Sequence, residues 1–145
     1  MKLPLWRRER AVYPLTFTVE TRYRDQDVLA HINNTSLSGY FDEVREKLMR
    51  SIHAEMTDGV RVRIVTADVR VSFLGEVFHP DVIDVPTGIL RVGNSSWEIG
   101  QAMFQNGRCV ALANSTLVQT GERGGEPLRP AIRAALEARL IREPA

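Results

Sequence analysis

From residue 15 to residue 23 apolar and polar side chains alternate: Leu15, Phe17, Val19, Thr21 and Tyr23 share one face, and Thr16, Thr18, Glu20 and Arg22 the other. A period of two marks a half-buried strand, because successive side chains on a pleated backbone point to opposite faces. The polar run Arg24-Asp25-Gln26-Asp27 ends it. The period then changes. Leu37, Phe41, Val44 and Leu48 are spaced four, three and four apart, which gathers them on one face of a helix, while Asp42, Glu43, Arg45, Glu46 and Lys47 carry the other faces. Asn33 and Asn34 stand where an N-cap belongs, since a short polar side chain there accepts an otherwise orphan N–H. The pattern predicts a helix over 34–52, closed by a turn at Asp58-Gly59.

Beyond Gly59 the chain reads as strands. Val65, Ala67, Val69, Val71 and Phe73 alternate within 60–74, and Ile83, Val85, Thr87 and Ile89 within 81–92. Pro86 offers no N–H to a ladder, so it points to an edge or a bulge. Val92-Gly93-Asn94-Ser95 is a turn before a strand over 96–104, and Asn106-Gly107 is the strongest hairpin signal in the chain. A last strand over 109–118 contains Ala111 and Ala113, small enough to let another element lie close. A Gly/Pro-rich linker over 121–130 leads to a helix over 131–141, with Ile132, Leu136 and Leu140 on one face. The order is one strand, a long helix, four strands joined mostly by hairpins and therefore antiparallel, and a terminal helix: an α+β arrangement. One helix covers one face of such a sheet. The other face needs a cover too, and a homodimer is the inference.

Length and composition change this picture little. At 145 residues, 43% hydrophobic and 26% charged, the chain reads as one domain over 1–145, its core at about 14–120. The single cysteine, Cys109, allows no internal disulfide, and its apolar surroundings make it a small hydrophobe. A net charge of +1 makes no overall case for nucleic acid. Arginine supplies 17 of the 19 basic residues, with local excesses at Lys2, Arg7, Arg8 and Arg10 and at Arg129, Arg133, Arg139 and Arg142. These read either as solvated faces or as landing sites for phosphates. With no apolar stretch that resembles a signal or a membrane span, a cytoplasmic protein is expected. The three histidines, His31, His53 and His79, share no ligand-like spacing, so no metal is expected.

The chemistry concentrates between the first strand and the long helix. Asp25, Asp27, His31, Asn33 and Asn34 fall within ten positions of a loop that feeds a helix N-terminus. Free N–H groups and the positive end of the helix dipole there stabilise an oxyanion, and a carboxylate beside them can act as nucleophile or general base. The same residues also suit turns and caps, and spacing alone does not choose between the readings.

The segment Tyr23-Arg24-Asp25-Gln26-Asp27-Val28-Leu29-Ala30-His31-Ile32-Asn33-Asn34, followed by Tyr40-Phe41-Asp42-Glu43-Val44-Arg45, resembles the signature of the hotdog-fold acyl-CoA thioesterases of the 4-hydroxybenzoyl-CoA thioesterase group. V-S-F-L-G-E-V-F-H-P-D, V-G-N-S-S-W and E-P-L-R-P-A-I-R extend the likeness over roughly residues 14–135. The resemblance implies a five-stranded antiparallel sheet wrapped around one long helix, in a dimer or tetramer. It implies Asp27 as the catalytic acid and a backbone N–H at Asn34, or at Thr35 beside it, as oxyanion donor. His31 and Asn33 orient the loop, and the acyl chain runs between the helix and strand residues such as Phe73. Coenzyme A enters as part of the substrate, and no separate cofactor is implied. Two departures stand out. The family's glycine before the histidine is Ala30, which requires a negative φ, and its tyrosine after N-N-x-x is Leu37. They leave the substrate open and favour, as an alternative, a non-catalytic acyl-CoA binder; a further alternative keeps the enzyme but takes acyl-carrier-protein thioesters.

Overall fold

The computed structural model describes residues 2–56 and 62–145. Two 3-10 turns, Leu5–Arg8 and Arg10–Val12, precede β1 (Leu15–Val19), and a third, Tyr23–Asp25, precedes the long helix α1 (Asn34–Ala54). Then come β2 (Arg63–Phe73), β3 (Ile83–Val92), β4 (Ser96–Gln105), β5 (Arg108–Gly121), the two-residue β6 (Gly124–Gly125) and α2 (Pro130–Glu137). The five long strands form one antiparallel sheet in the order β1-β3-β4-β5-β2, with β6 added beside β5. A sheet curled about one long helix is the hotdog arrangement.

The helix forms for the reasons its spacing gives. Leu37, Phe41, Val44 and Leu48 are each at most 1% exposed and pack on Val85, Ile99, Met103 and their neighbours. A fully buried side chain of this size contributes about 1.5–3 kcal/mol, so this stripe holds α1 to the sheet. Ala111 and Ala113 lie under it and let the helix sit close. At the start, Asn33 Oδ1 accepts the Thr35 N–H at 2.8 Å. The helix runs two residues beyond the expected 34–52. The turn expected at Asp58-Gly59 and the strand start expected at Val60 lie outside the described residues. The Asn106-Gly107 hairpin forms with φ of 51° and 79°, the positive pair that such a turn demands.

Four expectations are corrected. The first strand stops at Val19, not Tyr23; the alternation continues, but Tyr23 is 78% exposed in a 3-10 turn. Pro86 sits in an interior strand, paired with Thr16 of β1; on its other side the ladder passes from Asp84↔Phe104 to Thr87↔Gln101, and the bulge falls later, between Ile89 and Arg91. The terminal helix stops at Glu137, and Leu140 instead makes a parallel bridge to Ile89, bonded through Arg139 and Ile141. Finally, the second face of the sheet is covered by the chain's own ends. Leu3, Trp6, Val12, Tyr13 and Ile141 pack on Ala102, Phe104 and Leu112.

That cover depends on a glycine pair. Gly88 and Gly100 face each other across β3 and β4. A Cβ on Gly88 would lie 2.6 Å from Cδ of the rigid Pro14 ring, and one on Gly100 2.8 Å from Ile141 Cδ1, so a side chain at either place would force the arms to shift. β2 is treated differently. Its outer edge has no strand partner among the described residues, and Val65, Val69 and Phe73 on it are 36–43% exposed.

Candidate active site

The loop before α1 is built by two aspartates with opposite duties. Asp25 turns inward. Tyr40 Oη donates to its Oδ2 at 2.6 Å, Arg22 Nε donates to the same oxygen at 2.9 Å, and the Asp25 carbonyl accepts the Asn33 N–H at 2.8 Å. The Tyr40 hydrogen bond, reinforced by the Arg22 guanidinium, holds the Asp25 carboxyl below the usual carboxylate range. Burial and the Asp25 charge push the Tyr40 phenol up.

Asp27 turns outward. Its Oδ1 accepts N–H groups from Leu29 at 2.9 Å and His31 at 3.2 Å, and its own N–H donates to the His31 carbonyl at 2.8 Å. These bonds close a tight loop whose apex residue, Ala30, has φ of 61°. The negative φ expected of an alanine there is therefore not observed; the loop closure imposes a left-handed conformation that costs a non-glycine residue about 1–2 kcal/mol. The Asp27 carboxylate stays exposed, with Oδ2 free of hydrogen-bond partners among the described residues.

Asp27 lines a cleft of about 300 Å³ together with His31, Asn33, Asn34, Leu37 and the segment after β2, Gly75, Glu76 and Val77. The segment is fastened there by the Ile32 N–H, which donates to the Val77 carbonyl at 2.7 Å. The mouth of α1 opens into this space. The Thr35 N–H is taken by the Asn33 cap, whereas the Asn34 N–H has no acceptor among the described residues. Of the two donors expected, Asn34 is the one left for a ligand. His31 Nδ1 lies 3.4 Å from Glu76 Oε1, and its ring meets Phe78 edge-on at 5.1 Å.

The structure thus brings Asp27, His31, Asn33 and Asn34 together. Thr35 turns its amide to the cap, and Phe73 lies outside the cleft, on the strand that leads into it. Sequence reasoning missed Glu76 and Tyr40. Glu76 sits in the quoted V-S-F-L-G-E-V-F stretch, but only the sheet order brings the end of β2 to the helix mouth. Tyr40 was visible only as part of the resemblance. Burial pushes the Cys109 thiol up, as suits a core residue. The basic excesses at the ends are mostly engaged: Arg7 is 2% exposed and bonded to Tyr13 and Asn114, Arg10 pairs with Asp84, and Arg139 with Glu55. Among the described residues no three His, Cys, Asp or Glu side chains converge as a metal site, and no helix is long and apolar enough to cross a membrane.

A family model described as the thioesterase-like superfamily matches residues 21–136, a span that begins just before the loop and ends in α2. The chain belongs to that superfamily. Among solved structures, this thioesterase is similar to a predicted thioesterase from Bacillus stearothermophilus at 26% identity, with 90% of this chain and 98% of that one covered and a TM-score of 0.79. It is also similar to a thioesterase from Thermus thermophilus, complexed with coenzyme A and Zn, at 27% identity, 87% and 93% coverage and a TM-score of 0.74. A 1,4-dihydroxy-2-naphthoyl-CoA thioesterase from Synechocystis shares the fold, at 16% identity, 83% and 93% coverage and a TM-score of 0.72. The comparison with curated proteins finds no match. As a member of this superfamily the protein is a thioester hydrolase.

Proposed function

We propose that the protein hydrolyses acyl-CoA thioesters at the cleft before α1, with Asp27 as the acid group of the reaction. The observation that carries this is the meeting in one cleft of an open carboxylate oxygen and an unused helix N-terminal N–H, on Asp27 and Asn34. The coenzyme A held by the Thermus neighbour supports the choice of carrier. The thioester carbonyl oxygen sits against the Asn34 N–H. Asp27 Oδ2 then either attacks the carbonyl carbon, expelling the thiolate and leaving a mixed anhydride for water to cleave, or takes a proton from a water that attacks instead. In both routes the developing oxyanion is held by the Asn34 N–H; losing one such donor typically costs about 10²–10³ in rate. His31 and Asn33 hold the loop in place, the first through Glu76 and Phe78 and the second through the cap. No cofactor beyond the coenzyme A of the substrate takes part.

The acyl chain has an open track to follow. Cross-strand partners point to the same side of a sheet, so the β2 residues paired with Gln119, Leu117, Ser115, Ala113 and Ala111 share the helix side: Ile64, Thr66, Val69, Val71 and Phe73. Val69 and Phe73 are 43% and 41% exposed, because α1 leaves this part of β2 uncovered. The open helix-side face of β2, from Phe73 beside the cleft to Ile64 and Thr66, is the trough this reading assigns to the acyl chain.

A second copy of the chain completes the proposal. An edge strand with no second strand partner among the described residues and with exposed Val65, Val69 and Phe73 is a ready surface for self-pairing. The dimer rests on this edge and not on the second sheet face. Sedimentation at micromolar concentration should give twice the chain mass or a multiple of it; a monomer would contradict the pairing. Thiol release from acyl-CoAs, lost in Asp27→Ala, tests the chemistry. Saturable acyl-CoA binding without thiol release would make the protein a binder instead.

A further inference from the structure

The far end of the trough holds a side chain that an alkyl chain does not need. Beside α1 and β2 lies a groove of about 380 Å³ with Met49, Ile64, Thr66 and Leu117 among its walls, and Arg45 lines it. Arg45 is 5% exposed and so is buried against the sheet. Its Nη1 donates to Oε1 of Gln101, itself fully buried, at 3.2 Å, while Gln101 Nε2 donates to the Phe41 carbonyl at 3.2 Å. Its carboxylate partner among the described residues, Asp42 at 3.2 Å, has a side chain 75% exposed. Burial lowers the affinity of Arg45 for its proton, and the exposed carboxylate offsets that in part.

A second observation points the same way. Ser115 is 2% exposed and its Oγ has no hydrogen-bond partner among the described residues. It is two residues from Ala113, the partner of Gln101, and two from Leu117 in the groove wall, and it stands opposite Val69 in the trough. Its hydroxyl thus lies on the helix side, about 7–8 Å from Gln101 by the ordinary diagonal spacing of a sheet. An orphan hydroxyl and a buried guanidinium whose carboxylate partner among the described residues is exposed thus lie on the same side of the sheet, and unmade bonds of this kind are expensive.

We propose that this end of the trough is an acceptor-oxygen subsite, in which Arg45 and Ser115 hold a carboxylate or hydroxyl at the distal end of the acyl group. The inference rests on the acyl-CoA reading above and names its substrate class. Arg45 lies 11 residues beyond Asn34 on the same helix, about 16 Å at 1.5 Å per residue. A single aromatic ring on the thioester is too short for that span, and the subsite calls for a long chain oxygenated at its far end. The other charges at the groove are committed or peripheral: Arg50 pairs with Glu46 at 2.7 Å, Asp42 faces outward, and His53 lies one helical turn beyond Met49.

The test uses length-matched acyl-CoAs with about a dozen carbons, ending in methyl, hydroxyl or carboxylate, against the intact protein. A site built around a hydrogen-bonding group rejects the analogue lacking it by large factors, so kcat/KM should favour an oxygenated end over methyl by about 100-fold. A carboxylate preferred over hydroxyl would identify the guanidinium as the chief partner; the reverse order would identify Ser115. The preference should shrink toward one in Arg45→Met and fall by a smaller factor in Ser115→Ala, which removes a single oxygen and keeps the fold if Arg45→Met does not. Equal kcat/KM for all three ends, or a preference that survives in the variants, would overturn the subsite and leave the thioesterase reading intact. Should no member release thiol, the same three compounds are compared by calorimetric binding, where equal affinities would overturn the subsite separately.

Discussion

Asp25 and Asp27 are two residues apart and carry the same side chain, yet the structure puts them in opposite roles. Asp25 is pinned by a phenol and a guanidinium from side chains on either side of it, and both bonds fall on the same oxygen. Asp27 is held by backbone amides through one oxygen and leaves the other open to the cleft. A carboxylate whose partners are all side chains of its own loop and helix fixes shape, while one aimed into shared space with a free N–H is available for chemistry.

The sharpest way to break this contrast is at Asp27. Replacement by Asn keeps size and polarity but removes the charge, and thiol release should fall by about 10²–10⁴ with an unchanged melting temperature. Asp25→Ala should do the opposite. Hydrogen bonds to a charged group contribute about 1.5–3 kcal/mol each, less here because Arg22 is half-exposed, so a stability loss of about 2 kcal/mol should appear in urea titrations, with a smaller effect on turnover. The sign of its pH dependence follows from the lowered Asp25 pKa. Its contribution is full above the ordinary value of 3.8 and is lost as pH falls through the lower folded value, so the wild type should shed this increment on acidification and Asp25→Ala should not.

Two smaller changes sharpen the picture. Tyr40→Phe removes the shortest bond to Asp25 while keeping the buried ring, and should cost about 1–2 kcal/mol by thermal melting. Ala30→Gly relieves the left-handed alanine at φ 61° and should stabilise the loop by about 0.5–1 kcal/mol, after the extra backbone freedom of glycine in the unfolded chain is subtracted. A destabilised Ala30→Gly would show that the loop gains more from the alanine methyl than its backbone loses.

Much of this was legible in the residues themselves. The 4-3-4 spacing of Leu37 to Leu48 located α1, and Asn33 its start, because both depend on contacts within one helix. Asn106-Gly107 located a hairpin for the same local reason. What stayed hidden was decided across long distances. The placement of β2 beside β5, and so of Glu76 beside His31, follows from sheet order, which no local pattern records. The cover on the second sheet face was misread because the terminal arms form 3-10 turns and an extended tail with no period to detect. Pro86 misled because proline's cost depends on which neighbour needs the N–H, and here the ladder to β4 breaks at that point. The Asn34 and Thr35 amides were equivalent in sequence; the direction of the Asn33 side chain separated them.

The most direct test sets the two aspartates side by side: thiol release from an acyl-CoA panel by wild type, Asp27→Asn and Asp25→Asn, each shown folded by its melting curve. Asp27→Asn should lose turnover by about 10²–10⁴ while Asp25→Asn retains most of it. Turnover near wild type in Asp27→Asn, or a deeper loss in Asp25→Asn, would contradict the assignment.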